Sequence, residues 1–263
     1  LQGFPIGPAR VLASHESTER DQESGGEMAG ENGNGAIMRG EIAESVSVAA
    51  RLIADRGRFE AIGTELARRG PAVVVVAGRG TSDHAAIYAR YLLEHALGVP
   101  VALAAASLLT QYGIESASKQ SALLAFSQSG AGPDMIALVE SAKRRGAYSI
   151  ALTNDPASGL AAAADATADL DAGPERAVAA TKTYLAELIS VALIAAAAAR
   201  AVGRDGSWAK EVNSLPNRMQ AALDSARMWL ADAADTPVVR ALHGGNRALV
   251  VGRGFEYPNA LEL

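Results

Sequence analysis

The stretch that most limits how this chain can fold is AVVVVAG, residues 72–78. Its run of valines shows no alternation of apolar and polar side chains, so an extended backbone here must be covered on both faces. A strand hidden on both sides belongs inside a parallel sheet, and parallel strands need crossover segments, usually helices. The chain supplies them. After a Gly-containing loop, DHAAIYARYLLEHALG has a helical pattern. The cycle then repeats as VPVALAAA and SLLTQYG, ALLAF and PDMIALVESAKRRG, AYSIALT and ASGLAAAA, DATADLD and TKTYLAELISVALIAAAAARAV. Strands alternating with helices in this way predict an α/β fold, a doubly wound five-stranded parallel sheet flanked by helices.

The flanks divide the rest. Upstream, Ile42, Val46, Ala49, Ile53, Phe59, Ile62 and Leu66 recur at helical spacing. Before them, residues 1–37 are polar and Gly-rich without a sustained period, and are expected to be a disordered leader. Downstream, 208–234 reads as one long helix, and RALVVGRGFEYPNALEL repeats the order apolar strand, Gly-Arg-Gly, helix of PAVVVVAGRGTSDHAAIY. The expected organisation is thus a leader (1–37), a first α/β unit (38–205), and a linker helix with the start of a second similar unit (206–263).

Composition removes several function classes. A net charge of -5 with no basic stripe gives nucleic acid nothing to hold. With no cysteine, the chain cannot form disulfides or thiolate metal sites, and it cannot use a cysteine nucleophile. Its four histidines are His15 in the leader, His84 and His95 eleven apart on one helix, and His243 in a turn. None has metal-ligand spacing, so no metal and no cofactor are expected, and His84 is the histidine beside the ligand-side loop. The alanine-rich run ending at Arg200 is short for a bilayer and reads as a buried helix, with no membrane role.

The chemistry is expected in the loops at strand ends, where open α/β sheets bind ligands. AGRGTSDHAA lacks the third glycine of a dinucleotide fingerprint, since Asp83 stands there, and no Gly-Lys-Ser/Thr follows for a P-loop. Thr81 and Ser82 are left as hydroxyls facing a polar ligand, or else the glycines serve only to turn the chain. SQSGAGPD, starting at Ser127, combines the donors of Ser127, Gln128 and Ser129 with Gly130 and Gly132, just ahead of Pro133 and Asp134 in a helical first turn. Successive amides at a helix N-terminus, with glycines letting the backbone curl, make a cradle for a phosphate monoester. The plainer reading is a serine-capped turn. The third loop, DAGPERAVAATKTY, crowds Glu175, Arg176, Thr181 and Lys182. Here Lys182 is read as a solvated first-turn residue in preference to a substrate ligand.

Strand-GRGTS, strand-SQSG and GPE…VAATK, in this order, resemble the sugar isomerase (SIS) domain over roughly residues 38–263. The nearer likeness is to the isomerase half of glutamine–fructose-6-phosphate aminotransferases and to stand-alone, glucosamine-6-phosphate deaminase-like relatives. The resemblance implies that Ser127, Gln128 and Ser129, with Gly130, hold the phosphate of a phosphosugar, while Thr81, Ser82 and the backbone near Val178 face the sugar. The synthases differ in two places, carrying a threonine at Gly132 and a serine at Ala180, and they add a cysteine-dependent glutaminase domain. The resemblance also implies a cytoplasmic homodimer acting on fructose 6-phosphate or glucosamine 6-phosphate by isomerisation coupled to amine addition or removal. The alanine-rich helix is a candidate for close packing in that dimer. The family's base lies on the helix after the second Gly-Arg-Gly loop, past Leu263, so no catalytic residue is assigned; Glu262 is on that helix but does not match the base. The rivals are a non-catalytic phosphosugar sensor and, last, a dinucleotide oxidoreductase.

Overall fold

The computed structural model describes residues 34–204, 206, 208–233 and 249–263. Two helices lead in, α1 (Asn34–Ala54) and α2 (Gly57–Arg69). The alternation that follows is β1 (Val73–Ala77), α3 (Thr81–Leu97), β2 (Val101–Leu103), α4 (Ala106–Tyr112), β3 (Ser121–Phe126), α5 (Pro133–Arg144), β4 (Tyr148–Thr153), α6 (Gly159–Ala163), β5 (Ala166–Asp169) and α7 (Lys182–Ala201). The five strands form one parallel sheet in the order β2-β1-β3-β4-β5.

Every residue of β3 and β4 is buried, which explains why their sequences read as unbroken apolar runs. Successive side chains nevertheless go to different cores. Val74, Val76, Ala122, Leu124 and Phe126 pack with α1, α2, α3 and α7, whereas Ala77, Leu123 and Ala125 pack with Met135, Val139 and Leu160 of α5 and α6. β2 is shorter than VPVALAAA suggests: Pro100 precedes it, and Ala102 and Leu103 are exposed on the sheet's edge.

Helix α7 fills the middle of the larger core, which is why its alanine run is apolar all round. Among the described helices it alone is long and apolar enough to cross a bilayer, but protein covers it. The close packing expected of this helix occurs inside the chain. A Cβ on Gly63 of α2 would stand 2.1 Å from the Ile194 carbonyl oxygen, so only glycine permits that approach.

Three expectations are corrected. Residues 34–37, assigned to the leader, form the first turn of α1, while residues 1–33 lie outside the described residues. Of the segment read as one helix over 208–234, the described residues 208–233 hold two, α8 (Ala209–Val212) and α9 (Leu215–Ala233), with Asn213 and Ser214 breaking them just before Pro216 in the first turn of the second. Residues 249–252 form no strand and Leu249 to Val251 are exposed; the rest of that expected strand lies outside the described residues. The Gly-Arg-Gly repeat does reproduce a local geometry. Gly80 and Gly254 both have positive φ, 56° and 64°. A Cβ on Gly78 or Gly252 would meet the carbonyl oxygen four residues on, at 2.2 and 2.3 Å. A short 3-10 turn (Gly254–Glu256) and α10 (Tyr257–Glu262) follow, and Phe255 packs its ring near Tyr88 and Tyr91 of α3.

Candidate functional site

In the order 2-1-3-4-5, β1 feeds a helix that crosses toward one edge of the sheet and β3 one that crosses toward the other. The loops leaving these adjacent strands therefore diverge and open a crevice at their carboxyl ends. A cavity of about 350 Å³ occupies it. Of the seven residues singled out from the sequence, five line it: Thr81 and Ser82 from the first loop, Ser127, Gln128 and Ser129 from the second. The other two do not. Gly130 shapes the loop from behind, with φ 59° and a missing Cβ that would lie 2.1 Å from Ser158 Oγ. Val178 is 86% exposed, and its loop reaches the cavity through Ala180, with Thr183 following in the first turn of α7.

The SQSG loop presents donors. Ser127 N is used by the Leu152 carbonyl, and Gly130 N donates to the Ser127 carbonyl at 3.1 Å and to Ser127 Oγ at 3.2 Å. Ala131 N donates to Ser129 Oγ at 3.4 Å. Both serine hydroxyls thus accept, and neither donates its own proton among the described residues. The amides of Gln128, Ser129, Asp134 and Met135 likewise find no acceptor there, the last two because they lie in the first turn of α5. Arg79 supplies the single positive charge among the cavity's lining residues and spends it on Asp134, 3.0 Å away. Ligand oxygens would therefore meet neutral donors at a helix N-terminus.

The third loop is tied down by carboxylates. Glu175 accepts from the amides and hydroxyls of both Thr181 and Thr183, capping α7. Burial opposes its ionisation, yet these hydrogen bonds outweigh burial and hold its carboxyl below the ordinary value. From α1, Glu41 accepts from the amides of Arg176 at 2.7 Å and Ala177 at 3.0 Å, and Arg51 pairs with Asp171 at 3.2 Å. Lys182, expected to be solvated, is only 1% exposed and pairs with Glu44 of α1. Its ammonium is sequestered beneath the loop because α1 brings a carboxylate there.

Two features were missed from sequence. Glu187, one turn into α7, is 1% exposed and lines the cavity. Its Oε1 accepts from Ser82 Oγ at 2.7 Å, while Oε2 has no partner among the described residues. Burial first, and the nearby Glu262 and Glu175 carboxylates second, push its carboxyl up to about 8 against the Ser82 hydrogen bond. The second feature is α10, whose Glu262 accepts from Thr81 Oγ1 at 2.9 Å and lies 2.6 Å from His84 Nδ1. Tyr184 of α7 donates to Asn259 at 2.9 Å. The only available signals were the neighbouring positions of Thr81 and His84 and the repeated Gly-Arg-Gly. Among the described residues no group of His and carboxylate side chains is arranged to hold a metal.

Comparison with known proteins agrees with this α/β architecture. Residues 71–197 match the SIS domain model, and this part of the chain is a SIS domain. The chain is 33% identical over 189 residues to the glutamine–fructose-6-phosphate aminotransferase (isomerizing) of Pyrococcus horikoshii, a match using 72% of this chain and 31% of the relative. The Symbiobacterium thermophilum enzyme of the same name is 34% identical, with 72% and 31% covered. The chain therefore spans about a third of the length of the curated relatives it matches. Among solved structures, a Silicibacter pomeroyi protein provisionally described as a phosphosugar isomerase superposes with TM-score 0.67 at 36% identity, covering 71% of this chain and 56% of that one. The C-terminal domain of the Francisella tularensis glucosamine-fructose-6-phosphate aminotransferase shares the fold with TM-score 0.74 at 24% identity, covering 86% and 64%.

Proposed function

We propose that the crevice between β1 and β3 binds the phosphate ester of a hexose, and that the chain serves an isomerase of fructose 6-phosphate, glucosamine 6-phosphate or a close amino-sugar phosphate, with amine added or removed. The observation that carries this reading is the convergence of two loops, about 45 residues apart in sequence, on one cavity where the second loop turns in the unspent hydroxyl protons of Ser127 and Ser129 beside the free amides of Gln128 and Ser129. In this assignment Ser127, Gln128, Ser129 and the first-turn amides of α5 hold the phosphate. Gly130 sets the curl of that loop, and Thr81, Ser82 and the backbone between Val178 and Ala180 face the sugar. The names of the matched aminotransferases support the substrate class, and a homodimer in the cytoplasm is the matching expectation for assembly and location.

The test is calorimetric titration of the chain with fructose 6-phosphate and glucosamine 6-phosphate, alongside a nicotinamide dinucleotide. Binding of the hexose phosphates, and not of the dinucleotide, is expected. Binding of the dinucleotide alone would overturn the reading.

A further inference from the structure

The cavity's charge is unusual for a site that takes an anion. Its lining includes the carboxyls of Asp134 and Glu187, and Arg79 is already committed to Asp134. Around Glu187 stand Ser82 on α3, Glu175 ahead of α7, Tyr184 on α7 and Glu262 on α10, with His84 of α3 set against Glu262. None of these brings a formal cation to Glu187, because His84 is turned to Glu262. Glu187 also holds an unpartnered oxygen, Oε2, inside a wall that is otherwise sealed from solvent. A buried polar atom left without a partner costs free energy unless something that occupies the cavity satisfies it.

We propose that Glu187 is a specificity-determining residue for the sugar, receiving the ammonium group of an amino-sugar phosphate on its free Oε2 while Ser82 anchors Oε1. The inference rests on the phosphosugar reading above and adds to it the group that distinguishes an amino sugar from its neutral counterpart. A ligand with a phosphate at one end and an ammonium at the other matches both halves of the cavity, the free amides and hydroxyls around the α5 N-terminus, where Asp134 is already paired with Arg79, and the Glu187 carboxyl of α7. A hexose phosphate with a hydroxyl in that place satisfies only the first half, since a hydroxyl offers a weaker, uncharged hydrogen bond. Because the empty site holds Glu187 protonated near neutral pH, ammonium binding expels that proton.

The experiment is calorimetry at pH 7 with glucosamine 6-phosphate and glucose 6-phosphate, which differ only by amine against hydroxyl, on the native chain and on Glu187→Gln. Each titration is repeated in buffers of different ionisation enthalpy. The native chain is expected to prefer the amino sugar by about 10- to 100-fold. It should also release about one proton with the amino sugar and none with glucose 6-phosphate. Glu187→Gln keeps the Ser82 hydrogen bond and should bind both sugars with equal affinity and no proton release. Equal native affinity for the two sugars, or a preference that survives in Glu187→Gln, overturns the inference and leaves the phosphosugar site standing. Failure of the native chain to bind either phosphate removes the reading beneath it as well. If Glu187→Gln does not fold, the native preference and its proton release decide the matter alone.

Discussion

Replacing Glu187 by Gln should change how the folded chain responds to alkali, and the size of the effect follows from burial. In the native protein the carboxyl is pushed from 4.5 up to about 8, chiefly by desolvation, so between those pH values the folded state holds a proton that the unfolded chain has released. Stability from the protonated group is fully present below 4.5, declines as pH rises, and is lost once pH passes about 8. At about 1.36 kcal/mol per pH unit, the span amounts to about 3 to 5 kcal/mol. The Gln variant has the same shape and the same Ser82 partner but no proton to lose. Urea unfolding of both proteins at intervals from pH 5 to pH 9 isolates this group together with the carboxyls coupled to it, because titrations elsewhere cancel in the difference. The native chain should be the equal of the variant at the acid end and fall progressively behind it. A difference that stays flat to within about 1 kcal/mol would mean that Glu187 ionises freely, and the sealed carboxyl on which the amine site depends would not exist.

Three further outcomes follow from the same packing. Gly63→Ala should cost about 1 to 3 kcal/mol in urea unfolding, because its methyl would drive α2 away from the Ile194 carbonyl. The pair of buried Lys182 and largely exposed Glu44 is expected to be asymmetric: Glu44→Ala strands the ammonium and costs about 3 kcal/mol, whereas Lys182→Met leaves Glu44 in water and stays within about 1.5 kcal/mol of native. Equal losses in the two variants would contradict the burial of Lys182. Ser129→Ala should weaken hexose 6-phosphate binding by about 1 to 3 kcal/mol in calorimetry while leaving the unfolding midpoint close to native, since that hydroxyl stabilises only one weak contact to Ala131 N.

The sheet was legible because burial on both faces leaves a mark on each strand by itself: VVVV, ALLAF and AYSIALT need no partner to be recognised. The two ligand loops were legible for a related reason. Glycines at positive φ and a proline in a first helical turn are local demands, so Gly80, Gly130 and Pro133 announce their geometry in sequence. Features that depend on distant partners stayed hidden. Lys182 looks like any solvated first-turn lysine until Glu44, 138 residues away, closes over it. Glu187 looks like the polar position of an apolar helix until Ser82, 105 residues away, turns it toward the cavity. The leader's edge at 37 was misplaced because Asn34 to Ile37 carry too few apolar residues to show a period, even though they continue α1.

The most direct test of the central claim is an amide-resolved NMR titration with a hexose 6-phosphate. The largest and saturable shifts should fall on the amides of Gln128, Ser129, Asp134 and Met135, with smaller ones at Thr81 and Ser82. Shifts confined to other surfaces, with those four amides unmoved at saturation, would contradict a phosphate held between β3 and α5.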